Sequence, residues 1–196
     1  YLNKKNSYFC LYYKSLHKNV MMAVSAIVVN DATGDKKAEK KKYIHQQLKD
    51  WVMHEVGHTL GLRHNFIAST MMPFDKLHDK EYVETVGLGG SVMEYDIPNI
   101  ATKDQKQGYY HSPIVGVYDK LAIEYGYKEV PGDTPEEQYK NLQGISEKAS
   151  TEPFLYATDQ DADSIDPRVL RRDMSDDTIA FAKQRIQVVN EIWDGL

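Results

Sequence analysis

Cysteine is almost missing from this chain. A single Cys10 among 196 residues excludes any intrachain disulfide and any closed metal site built from several thiolates. Long apolar runs are missing too. The longest, Val20–Val29 (VMMAVSAIVV), falls well short of the roughly 20 residues that cross a bilayer. Positive charge is not in excess. With 24 Lys and Arg against 29 Asp and Glu, the net charge is −5, and the chain carries no electrostatic footprint for nucleic acid or an anionic membrane. The basic run Lys36, Lys37, Lys40, Lys41 and Lys42 has no aromatic residues interleaved and reads as a solvated first turn. Internal repeats and low-complexity segments are also absent. What remains is ordinary globular composition, 41% hydrophobic and 27% charged, with enough length for one sizeable core.

Against that plain background one segment stands apart: His54-Glu55-Val56-Gly57-His58-Thr59-Leu60-Gly61-Leu62-Arg63-His64. It reads H-E-x-x-H-x-x-G-x-x-H. Residues four apart share one face of an α-helix, so His54 and His58 point the same way and can each bring a nitrogen to one zinc ion. Glu55 lies about 60° from His58 around the helix axis, placed to reach a water on the metal without being a ligand. Zinc lowers the pKa of such a water toward neutrality, and a carboxylate can take the proton. The next helical turn points away along the axis. Gly61 breaks the helix by entering the left-handed conformation without steric penalty, and the chain turns back to deliver His64. Three protein ligands leave a fourth position open, the catalytic arrangement rather than the structural one. The zinc ligands expected are therefore His54, His58 and His64, with Glu55 as general base.

This motif resembles that of the metzincin zinc proteases, and a second segment adds to the likeness. Metzincins carry a methionine-containing turn downstream of the third histidine. Ser91-Val92-Met93-Glu94-Tyr95-Asp96, after the glycine-rich Gly87-Leu88-Gly89-Gly90, is similar to it. The resemblance implies that Met93 lies beneath the histidines as an apolar floor. It also implies that Tyr95 sits near the metal, as a ligand when substrate is absent or as a hydrogen-bond donor to the developing oxyanion. HEVGHTLGLRHNF, SVMEYD, YDKLAIEYGY (118–127) and DPRVLRRDM (166–174) together look like large exported bacterial zinc proteases, in which the catalytic region sits among accessory domains. The likeness covers about residues 50–196. It implies a peptide or protein substrate, accessory domains of a longer parent chain, and a periplasmic, cell-surface or secreted location. A catalytically inactive zinc-binding module that holds peptide or glycan is the alternative reading, and the intact Glu55 argues against it.

The fold expected is α+β: a single metzincin-like catalytic domain over residues 1–196. A long active-site helix and a small sheet form an upper part to about residue 64, and a lower part of loops and helices carries the methionine turn. Only 53 residues precede His54 and the chain begins with Tyr1, so it reads as a piece of a longer protein with a shortened sheet. Val20–Val29 reads as a buried strand. From Lys36 the pattern turns helical, with Ile44, Leu48, Val52, Val56 and Thr59 as the apolar stripe and Trp51 as core packing. Helices are expected from Gly116 to Tyr127, from Thr134 to about Leu142, and from Ser175 to about Trp193; Phe154–Ala157 reads as a short strand. The run Asp159–Asp166 fails the EF-hand pattern and reads as a solvated loop. His17, His45, His78 and His111 read as surface or loop histidines.

Overall fold

A computed structural model describes residues 16–30, 34–163 and 165–195; Cys10 and the aromatic stretch around it lie outside them. Six α-helices are described: α1 (Leu16–Asn30), α2 (Lys36–Thr59), α3 (Lys80–Val86), α4 (Val117–Tyr127), α5 (Pro135–Ser146) and α6 (Thr178–Asp194). No strand occurs among the described residues, so the small sheet is not found there.

Val20–Val29 is the first correction. It lies within α1, not in a strand. A short apolar run fits either state, and tertiary packing decides between them. Ala23, Ala26 and Ile27 fall at helical spacing on one face and bury against Tyr43 of α2, Val188 of α6, Ile100 and Tyr110. Two alanines on that face let the neighbouring helices approach closely. Phe154–Ala157 is likewise not a strand. The sequence reading also missed α3, which is capped by Asp79 accepting from the Tyr82 N–H at 3.1 Å.

Helix α2 carries the second correction. It starts where expected, with Asp35 accepting from the Ala38 N–H. Its apolar stripe, however, faces outward: Ile44, Leu48, Val52 and Val56 are about half exposed. The buried seam is instead Tyr43, Gln47, Asp50, His54 and Gly57. The reason lies in what the helix rests on. Residues 87–116 run beneath it without regular structure, most of them buried. Buried backbone groups outside helices and sheets need side-chain partners. Gln46 accepts from the Tyr110 N–H at 2.7 Å, and the His111 ring lies 3.5 Å from Asp50. Asn99 donates to the carbonyls of Leu77 and Tyr109, and Gln107 donates to the carbonyl of Asn99. A polar seam on α2 belongs to the same system.

Two further apolar clusters fix the lower part. One joins Met72, Leu77, Val83, Leu88 and Ile97 to Met174 and Phe181. The other joins Phe66, Ile67 and Tyr95 to Ala157 and Val169, with Trp51 of α2 packed against it. Trp51 is therefore packing material, as the sequence suggested.

Candidate metal centre

The centre begins with how α2 ends. Leu60 caps the helix, Gly61 follows at φ +88°, Gly61 N–H donates to the His58 carbonyl, and Leu62 N–H donates to the Gly57 carbonyl. This is the paired bonding of a Schellman turn, which needs a left-handed residue and favours glycine. The chain reverses over four residues and returns His64 beside His54 and His58.

One ring nitrogen from each of the three histidines lies within 4.8 Å of the others. His54 is buried at the seam, and its ring lies edge-on to His58 at 4.8 Å and stacked with His64 at 5.5 Å. Each Nδ1 is already engaged. His54 Nδ1 lies 2.7 Å from the Val92 carbonyl, and His58 Nδ1 lies 3.0 Å from the Leu62 carbonyl. His64 Nδ1 lies 2.9 and 3.0 Å from the two carboxylate oxygens of Asp159. A carbonyl or carboxylate oxygen only accepts, so the proton of each neutral ring sits on Nδ1 and the lone pair is left on Nε2. The Nε2 atoms of His58 and His64 are buried with no protein partner. Burial holds His54 down at about 4, and burial also outweighs Asp159 in holding His64 below the usual histidine value. Neutral rings are what a metal requires. Three pre-oriented imidazoles, two of them buried, fit zinc.

A family model described as Met-zincin matches residues 36–196. The chain belongs to the Met-zincin family. No curated protein and no solved structure matches it.

The turn at Ser91–Asp96 packs against α2 beside the three histidines. Met93 is fully buried, and its sulfur packs so closely under α2 that a Cβ on Gly57 would overlap it. Gly57 thus serves the floor of the site, a requirement the sequence reading missed although the residue stands inside the motif. The turn is held from below by Asp119 of α4. That carboxylate accepts from Ser91 Oγ at 2.5 Å and from the N–H groups of Val92 and Gly116 at 2.8 Å each. The same turn therefore supplies both the Met93 floor and the Val92 carbonyl that orients His54.

Glu55 stands exposed one residue after His54. Tyr95 is 4% exposed, with its ring 4.6 Å from that of His64 and 5.9 Å from that of His54. Tyr95 thus lies at the histidine cluster. The remaining histidines divide: His17 and His45 are exposed on α1 and α2, whereas His78 and His111 lie in loops, His78 half-buried and His111 buried. His111 is fully buried beside Asp50, and burial lowers His78 to about 4. Beneath the turn lies a group of buried carboxylates that no spacing announced. Burial raises Glu94 well above the carboxylate range, and nearby Asp173 and Asp96 push it further; burial raises Asp173 to about 6.

Proposed function

We propose that the chain is a zinc-dependent endopeptidase of metzincin type, in which His54, His58 and His64 hold the ion and Glu55 is the general base. The observation that carries this reading is the convergence of three imidazoles whose Nδ1 atoms are already engaged by oxygen acceptors, with an exposed carboxylate one residue after the first. Zinc bound there supplies an acidified water and a Lewis acid for a peptide carbonyl. Glu55 receives the water's proton and passes it to the leaving amine. Tyr95, beside His64, donates its hydroxyl to the developing oxyanion. Met93 and the buried rings keep bulk water from the underside of the centre.

The resemblance extends the proposal to the whole chain: one catalytic domain of a longer exported protein with accessory domains, acting on peptide or protein. The test is Glu55→Gln on the purified chain, with zinc measured by elemental analysis and turnover on a mixed peptide substrate. We expect one zinc per chain to be retained and turnover to fall at least a hundredfold, on the order of a lost proton-transfer group. Equal turnover in the variant removes Glu55 as base. A parent chain that holds zinc and cleaves nothing favours the inactive peptide- or glycan-binding module.

A further inference from the structure

The three ligands are not held alike. His54 and His58 donate to main-chain carbonyls. His64 donates to a side-chain carboxylate that lies 95 residues away. From this difference we infer that Asp159 is the positioning residue of the centre: it fixes the orientation of His64 as third ligand and sets how tightly zinc is held. The inference rests on the metal reading above.

The segment that carries Asp159 is laced to the segment that carries His64. Asn65 Nδ2 donates to the Leu155 carbonyl at 3.0 Å, and the Ala157 N–H donates back to Asn65 Oδ1 at 3.1 Å. Phe66 N–H donates to the Ala157 carbonyl at 2.7 Å, and Leu170 N–H donates to the Phe66 carbonyl at 3.0 Å. Asp159 thus arrives at the ring on a scaffold of its own rather than by chance of a long side chain. The ring is confined on its faces as well. Phe66 stacks on it at 5.2 Å, backed by Arg171 4.9 Å above the Phe66 ring, and His54 stacks on it at 5.5 Å. Arg63 stands 3.8 Å from the Asp159 carboxylate on its solvent side.

Both carboxylate oxygens lie within hydrogen-bond distance of the same N–H. A carboxylate acceptor makes a stronger bond than a carbonyl and leaves the opposite nitrogen more electron-rich. Partners of this kind typically contribute 10- to 100-fold in metal affinity, roughly. The aspartate run 159–166, with no metal pattern of its own, acquires a role here: its first member serves His64. The others are engaged elsewhere, Asp161 accepting from the Thr158 N–H at 2.8 Å and Asp166 pairing with Arg168 at 2.8 Å.

The test compares zinc affinity by chelator competition in the 196-residue chain, Asp159→Asn and Asp161→Asn, with metal-free melting recorded for each. Asp159→Asn should bind zinc about 10- to 100-fold more weakly while its metal-free melting stays that of the parent. Its cobalt-substituted form should show shifted visible bands, because the third ligand has changed orientation. Asp161→Asn, which disturbs the same turn, should keep parental affinity. Zinc affinity within about twofold of the parent for Asp159→Asn overturns the inference. So does an equal loss in Asp161→Asn, which assigns the effect to the shape of the turn. If Asp159→Asn melts early, Asp159→Glu decides, since it keeps the charge: affinity above that of Asn supports the inference, and affinity as weak as Asn overturns it. A parent chain that takes up no zinc refutes the metal centre itself.

Discussion

At the scale of single residues, the centre depends on groups whose protonation is set by burial. His54 and His64 are the favourable case, because desolvation disfavours their charge and leaves a lone pair. The buried carboxylates are the opposite case. Asp173 is 6% exposed, Ser69 Oγ donates to one of its oxygens at 2.8 Å, and the other oxygen has no partner. Its folded value of about 6 exceeds the ordinary 3.8, so the folded state holds a proton that the unfolded chain has released. Stability attributable to this group therefore falls as pH rises from about 4 to about 6, and is flat above. Asp173→Asn mimics the protonated form. Denaturant unfolding of the metal-free chain should show parent and variant alike near pH 4 and the variant ahead by about 3 kcal/mol at pH 7. Histidine contributions, which run the other way, are common to both and cancel. A variant less stable than its parent at pH 7 contradicts this.

At the scale of elements, α2 reverses the usual expectation for an amphipathic helix. Periodicity placed Ile44, Leu48, Val52 and Val56 against the core. They face outward because the irregular chain beneath demands polar partners, and the helix offers them along Tyr43, Gln47, Asp50 and His54. Substitution on the two faces should separate cleanly. Leu48→Gln should change stability by no more than about 0.5 kcal/mol, as exposed positions do. Tyr43→Ala, at 1% exposure among Ala23, Ile27 and Tyr110, should destabilise by about 3–5 kcal/mol. Urea midpoints of the two variants check the assignment, and the reverse order would restore the stripe to the core. The helix ends were far more legible than its faces. Asp35, Asp177 and Thr134 cap α2, α6 and α5 through bonds to residues three along, and Gly61 ends α2. Those are local events, written within a few residues.

At the scale of the whole molecule, the centre joins four stretches of chain. Helix α2 brings His54 and His58, the turn after it brings His64, the methionine turn brings Met93 and the Val92 carbonyl, and the 155–159 segment brings Asp159. An ion bound at their meeting point stabilises the folded state by mass action. With free zinc at about 100 times its dissociation constant, the gain is about 2.7 kcal/mol, or roughly 5–10 °C in melting temperature for a chain of this size. Calorimetry with graded zinc, and again after chelator, should show that dependence, and a melting temperature indifferent to zinc would mean the four stretches do not meet around a metal.

The histidine spacing, the glycine that returns the third ligand, the start of the long helix and its caps, and the likeness to metzincins were all determined by the sequence. Each is fixed by contacts within about one helical turn, or by residue chemistry that a short motif records. The tertiary structure alone decided which nitrogen of each histidine carries the proton, because the acceptors sit 38 and 95 residues away for His54 and His64. It also decided that Val20–Val29 is helical and that the polar face of α2 is the buried one. An apolar run has no preferred partner until neighbours close around it, and a helix buries whichever face the chain beneath it can satisfy.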